Sequence, residues 1–308
     1  MPDHKNTPSF RKPKPSEQEA NSNAIITKKH REELKMPDFF HLRNIDSMIC
    51  FLKEKGLNHK KYYHYTSWDS MKKIFQNKSF LLTRGNSLTI NDQHEALMKG
   101  SWDEWNKIFI GSFSFGSSEN MAMWGLYGMP WADGVRIAIP KDAMRWWIKS
   151  IQHINLFRNG QVFDYQDGFD VGLNDIVYVS GRVGVDRPQL THYGISFTVS
   201  DTYPLWGIDT AKAMTGYIKN YAWQYENEVR LRIRLVQDTG YERISVPIPD
   251  GVIDSITVTT GPSFEERNDV LYEKLKKAGR IEESGFKHLV NFKDMCRMCQ
   301  HNFVKKED

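Results

Sequence analysis

The segment from Trp223 to Leu235 constrains the fold more than any other. Glu226, Glu228, Arg230, Arg232 and Arg234 occupy every second position, while Val229, Leu231, Ile233 and Leu235 alternate with the arginines. A period of two belongs to a strand, in which successive side chains point to opposite faces. If the strand begins as early as Glu226, one face lies in a core and the other carries two carboxylates about 7 Å apart, followed by three guanidinium groups. Val229, Leu231, Ile233 and Leu235 then face the core. The two carboxylates can serve as an acid/base pair, or as one catalytic and one substrate-positioning group. The plainer reading is a solvated sheet face of alternating sign.

Neighbouring segments carry patterns of their own. Ile45, Met48, Ile49 and Leu52 fall at helical spacing and stop at Gly56, which suits a C-terminal cap. A strand is expected at 61–66, then a helix capped by Ser67 with Trp68, Met71, Ile74 and Phe75 on one face. Next come a strand at 80–83, a helix start at Asn91 and Asp92, a strand at 108–115 and a short helix at 120–127. A strand at 134–139 closed by Pro140 leads into a helix at 141–151, with Trp146, Trp147 and Ile151 as its buried positions. Between 153 and 192 only 176–179 reads as a strand. Strands at 194–199, 228–235, 244–248 and 253–260 follow, with a helix at 208–220 and another from Ser263 to about Ala278 opened by a Ser263–Glu266 capping box. Strands interrupted by helices without strict alternation point to an α+β fold, not a doubly wound parallel sheet.

Composition bounds the class. At 308 residues and 40% hydrophobic, the chain can bury a substantial core. No stretch approaches the roughly 18 apolar residues of a membrane span, and the opening residues lack a secretory signal, so no membrane partner is expected. Three cysteines, Cys50, Cys296 and Cys299, make no disulfide framework and point to a reducing cytoplasm. Residues 1–36 hold eight of the Lys/Arg and five of the Asp/Glu, so most of the net charge of +4 sits there. The expected organisation is a flexible basic arm at 1–36 and a single α+β domain at 37–308, with its motif core at about 62–280 and a C-terminal extension at 281–308. The nearly neutral body excludes overall basicity as an argument for nucleic-acid binding.

Other residues that could carry chemistry are scattered. His64 stands among Tyr62, Tyr63 and Tyr65, and a strand places it on one face with Tyr62 and Thr66. A lone His of this kind is usually structural, so a functional role needs a cleft shared with Glu226 or Glu228. Ser112 and Ser114 share a strand face, and Asn120, Met123, Trp124 and Tyr127 share a helical stripe. Such a stripe is more often core than a ring-binding platform. Asp92, His94 and Glu95 lie within one helical turn, although capping by Asn91 or Asp92 explains them better than a metal. Cys296, Cys299 and His301 form half of a zinc pattern without a second pair.

Taken in order, six motifs resemble a widespread bacterial domain family of unknown function. They are Tyr63-His64-Tyr65-Thr66-Ser67, Asn91-Asp92 with Glu95, Phe113-Ser114-Phe115, Asn120 with Met123-Trp124 and Tyr127-Gly128, Gly134-Val135 with Ile137, and Tyr225-Glu226 with Glu228 and Arg230. The motif order is similar to that of NAD-dependent ADP-ribosyltransferases of the toxin and poly-ADP-ribose polymerase types. This resemblance implies mixed and antiparallel sheets with flanking helices, and NAD as substrate. It implies that His64, with Thr66 beside it, bonds the ribose or nicotinamide end of NAD. Ser112 or Ser114 then shapes the cofactor pocket, and Trp124 or Tyr127 stacks on nicotinamide. Glu228 holds the nicotinamide ribose and stabilises the oxocarbenium-like transition state, while Glu226 positions the acceptor. The acceptor is a macromolecule, protein or nucleic acid, and a toxin or phage-defence setting with an antitoxin or other inhibitory partner follows by analogy. The alternatives are a non-catalytic nucleotide- or peptide-binding module, and a metal-dependent hydrolase or nuclease using Asp92 and Glu95.

Overall fold

The computed structural model describes residues 45–85, 102–158, 161–166, 168–180, 189–192, 195–198, 215–238, 240–241 and 243–287. The arm at 1–36, the Asn91–Glu95 segment and Cys296, Cys299 and His301 lie outside them. The chain runs α1 (Ile45–Gly56), β1 (Lys61–Ser67), α2 (Trp68–Asn77), β2 (Ser79–Arg84), α3 (Trp102–Trp105), β3 (Ile108–Ser114), α4 (Met121–Tyr127), β4 (Gly134–Pro140) and α5 (Lys141–Ser150). It continues through β5 (Ile154–Arg158), β6 (Gln161–Tyr165), β7 (Phe169–Asp175), β8 (Val177–Ser180), β9 (Gln189–His192), β10 (Ile195–Thr198) and β11 (Ile218–Asn220). The last elements are β12 (Glu228–Leu235), β13 (Arg243–Pro247), α6 (Asp250–Ser255), β14 (Thr257–Thr260), α7 (Val270–Lys277) and β15 (Ile281–Glu283). The fold is α+β.

β3 is the junction of an 11-stranded sheet. One edge pairs antiparallel with β12 from Ser114 opposite Glu228 to Ile108 opposite Arg234, and β7 covers the far edge of β12. The other edge of β3 is divided. Ile110 and Phe109 pair with Thr83 and Arg84 of β2, whereas Ser114 pairs with Tyr63 of β1. The sheet therefore forks, with β2, β13, β5 and β6 as one limb and β1, β4, β14 and β15 as the other. A second sheet, ordered β10, β9, β8 and β11, receives the chain directly after β7.

The apolar face of β12 behaves as its period requires. Val229, Leu231, Ile233 and Leu235 are fully buried in one core with Phe80, Phe109, Phe113 and Trp147. Each such side chain contributes about 1.5–3 kcal/mol. Ser67 caps α2 as expected, accepting from the Ser70 N–H. Among the described residues no helix is long and apolar enough to cross a membrane.

Several expected elements differ. Gly56 ends α1 but serves packing, because a Cβ there would collide with the Leu173 carbonyl oxygen of β7. Trp146 is half exposed on α5 and lies against Gly251, while Trp147 is the buried member of the pair. Residues 215–220 are a turn and β11 rather than helix, and Gly216 with φ +85° supplies the turn. The expected strand at 253–260 is α6 followed by β14, since Pro249 and Asp250 open a helical turn in which the Val252 and Ile253 N–H groups donate to the Pro249 carbonyl. The helix expected from Ser263 begins only at Val270. Residues 261–265 are drawn instead onto the start of β4, with Gly261 N–H donating to Gly134 O and Glu265 N–H to Ala132 O. Asp269 caps α7 and also accepts the indole N–H of Trp68 at 2.8 Å. β15, which follows the 62–280 motif core, pairs in parallel with β14.

Candidate functional site

Directly opposed residues of antiparallel strands share a face. Glu228, Ser114, Tyr63 and Ala138 are opposed in turn across β12, β3, β1 and β4. Ser112 and Tyr65, two residues along their strands, project to the same side. At the fork of the sheet these side chains meet α4 and the approach to β12. Tyr63, His64, Tyr65, Ser112, Phe113, Ser114, Met123, Tyr127, Glu226 and Glu228 line a cleft of about 80 Å³.

Glu226 reaches the cleft by a route different from the one its spacing suggests. β12 begins at Glu228, and residues Tyr221–Glu226 form a 3-10 turn that ends at Asn227 in the left-handed region, φ 46°. Asn tolerates that backbone conformation better than most residues. The turn folds Glu226 back beside Glu228, so the two carboxylates converge without sharing a strand. Lys219 of β11 bridges them, its Nζ donating to Glu226 Oε2 at 2.5 Å and to Glu228 Oε2 at 3.1 Å. Tyr127 donates its hydroxyl to Glu226 Oε1 at 2.6 Å. Glu228 receives Ser112 Oγ at 2.6 Å and a two-pronged bond from Arg230, Nε to Oε1 at 2.8 Å and Nη2 to Oε2 at 3.0 Å. Its backbone N–H donates to the Tyr178 hydroxyl at 2.9 Å.

This polar face is not solvated. Glu228, Arg230 and Arg232 are 2%, 1% and 4% exposed, because Lys219 of β11, Tyr178 of β8 and the turn residues Gly216 and Tyr217 lie against the face where an open sheet would meet water. Burial governs both carboxyls, and their partners separate them. Burial opposes ionisation of Glu228, but the charges of Arg230 and Lys219 and the bonds from Arg230 and Ser112 outweigh it, holding the carboxyl far below its ordinary range. Glu226 has Lys219 and Tyr127 for partners but no guanidinium. Burial and the neighbouring Glu228 charge leave its carboxyl raised. Two acids two residues apart are thus driven in opposite directions.

His64 sits in the fork between β1 and β3. Its ring packs on Phe80 and Phe113, at centroid distances of 4.9 and 5.7 Å, and its Nδ1 lies 2.9 Å from the Ser112 carbonyl oxygen. A carbonyl only accepts, so Nδ1 carries a proton and the neutral ring presents Nε2 as an acceptor. Burial lowers the pKa of the ring and favours this neutral form.

Two expected site residues lie elsewhere. Trp124 is 2% exposed, packs edge-on against Tyr65 and donates its indole N–H to Glu119 Oε2 at 3.0 Å, so it supports α4 and offers no face for a ligand ring. Thr66 is not among the cleft residues; it pairs with Val135 beyond the fork. Lys219 and Tyr178 were not singled out by sequence. The available signal for Lys219 was a lone cation seven residues before Glu226, next to Trp223, over whose ring its Nζ lies at 5.0 Å. Among the described residues no group of three or more His, Cys, Asp or Glu could hold a metal ion. Comparison with protein-family models, curated proteins and solved structures gives no match to this chain.

Proposed function

We propose that the chain is an ADP-ribosyltransferase that moves ADP-ribose from NAD to a macromolecular acceptor, protein or nucleic acid. The observation that carries this reading is the convergence of Glu226 and Glu228, with opposite pKa shifts, on one cleft with His64, Ser112, Ser114 and Tyr127. Cleaving the bond between nicotinamide and ribose builds positive charge on the sugar as nicotinamide leaves with the electron pair. A fixed, ionised Glu228 in a water-poor cleft offsets that charge. The acceptor atom bonds the anomeric carbon and loses a proton. Glu226, whose raised pKa makes its carboxylate the stronger base, takes that proton. Ser112 is the exposed member of the Glu228 shell and the partner that a ribose hydroxyl would replace. His64 Nε2 is an acceptor for a second ribose hydroxyl. In this scheme Tyr127 acts through its bond to Glu226.

The test uses NAD labelled in its adenylate phosphate, incubated with the protein and with separate protein and nucleic-acid fractions. Label should become acid-precipitable, should be released by protease or by nuclease according to the acceptor, and should be absent with Glu228→Gln. A second reading is favoured by one specific observation. Glu228 is already engaged by Arg230, Lys219 and Ser112, as in a structural ion network. On that reading the cleft is a nucleotide-binding module, and NAD binds without release of nicotinamide.

A further inference from the structure

Arg136 is the most anomalous charge in the described fold. It lies in the middle of β4 and is 6% exposed, yet it has no carboxylate partner within ion-pair distance among the described residues. Among the described residues its Nε and Nη1 have no hydrogen-bond acceptor, and Nη2 reaches only Thr259 Oγ1 at 3.4 Å. Its guanidinium carbon lies 4.5 Å from the ring centroid of Tyr63 and 5.7 Å from that of Tyr65. Those two rings also wall the Glu228 cleft. Register fixes the rest, since Arg136 opposes Tyr65 and therefore projects from the same face as Tyr63, Ser114 and Glu228.

A buried guanidinium with two unmatched nitrogens is costly to desolvate, and cation–π contacts return only part of that cost. Its planar fork of donors matches phosphate oxygens in pairs. We infer that Arg136 is an anion-binding residue that takes a phosphate of the molecule occupying the Glu228 cleft, and specifically the diphosphate of NAD. Naming NAD rests on the function proposed above; the anion site does not. The spacing suits a dinucleotide. From β12 to β4 is three strand spacings, about 14 Å between backbones, and the Arg136 guanidinium stands behind the Tyr63 and Tyr65 rings that line the cleft. A ribose held at Glu228 and the diphosphate carried on that ribose's own 5′ oxygen run along that interval. Neither bare nicotinamide nor a nucleoside would use Arg136.

The test is calorimetric titration of pyrophosphate and of ADP-ribose into the full chain, the Arg136→Met variant and the Arg136→Lys variant, with the Tm of each unliganded protein measured alongside. The expected result is binding of both ligands to the unaltered chain, weakened at least tenfold in Arg136→Met and less in Arg136→Lys. The Tm of Arg136→Met should be equal to or above that of the unaltered chain, because no paired charge is lost. Equal ADP-ribose affinity in Arg136→Met, a lowered Tm in that variant, or no binding of either ligand to the unaltered chain would overturn the inference. Arg136-dependent pyrophosphate binding without nicotinamide release from NAD would leave the anion site standing and remove the ADP-ribosyl reading instead.

Discussion

Arg230 holds Glu228 from two residues along the same strand, with Nε on one carboxylate oxygen and Nη2 on the other. Both side chains are almost completely buried. Removing one partner of a buried pair leaves an uncompensated charge, so Arg230→Gln should destabilise the protein by about 3–5 kcal/mol. Urea denaturation followed by tryptophan fluorescence measures this. A loss within the roughly 1 kcal/mol of an exposed salt bridge would show that the pair is solvated.

Lys219 is shared by two carboxylates, which makes its loss a repulsion problem as well as a desolvation problem. Lys219→Met should therefore be strongly destabilising, and adding Glu226→Gln should recover part of the loss by removing one of the two facing charges. The double-mutant cycle reads this directly. Strict additivity of the two substitutions would contradict the bridge seen at 2.5 and 3.1 Å.

Stability should respond to pH in two opposed ways. Glu228, held below the ordinary 4.5, contributes stability that is complete above that value and is lost as pH falls toward its folded pKa. Glu226, held above 4.5, contributes stability below that value that is lost as pH rises through its folded pKa. In Glu226→Gln the loss on the rising side should disappear while the acid-side loss remains. Superimposable stability profiles for the variant and the unaltered chain between about pH 3 and pH 8 would contradict the raised carboxyl.

Trp124 anchors α4 through Glu119, which also accepts from Ser284 Oγ and the Gly285 N–H. Trp124→Phe should cost roughly 1–3 kcal/mol by leaving a partly buried acceptor short of one donor and a gap beside Tyr65. Its NAD affinity, measured by calorimetry, should be unchanged. A large loss of affinity with stability intact would return Trp124 to a ligand-stacking role.

The sequence made most strands and the early helices legible because their apolar periods and caps are local. β12 was readable from its strict alternation as far as Leu235, although the same alternation left its start open between Glu226 and Glu228. What was not readable depends on contacts distant in sequence. The α7 start is set by Asp269 bonding Trp68 some 200 residues away, not by Ser263. β5, β6 and β7 lie in a stretch of mixed Gly, Asp and Asn whose strand character comes from pairing. For the site, the alternation identified Glu226 and Glu228 but put them on one strand. It took the left-handed Asn227 to fold one over the other, and β11 to bury a face that alternation alone reads as solvated. Lys219 belongs to the other sheet, so spacing along β12 contained no sign of it.

The most direct measurement is nicotinamide release from NAD, followed by chromatography with the protein alone and with the acceptor fraction that takes up label, for the unaltered chain and for Glu228→Gln. The substitution keeps the size of the side chain but turns one acceptor oxygen into a donor facing Arg230 and Lys219, so circular dichroism and the Tm are measured first and the comparison is made on folded protein. Release should be acceptor-stimulated and should fall at least about a hundredfold in Glu228→Gln, the scale of losing one preorganised electrostatic group. Undiminished release by folded Glu228→Gln, or no release by the unaltered chain with any acceptor, would contradict the account.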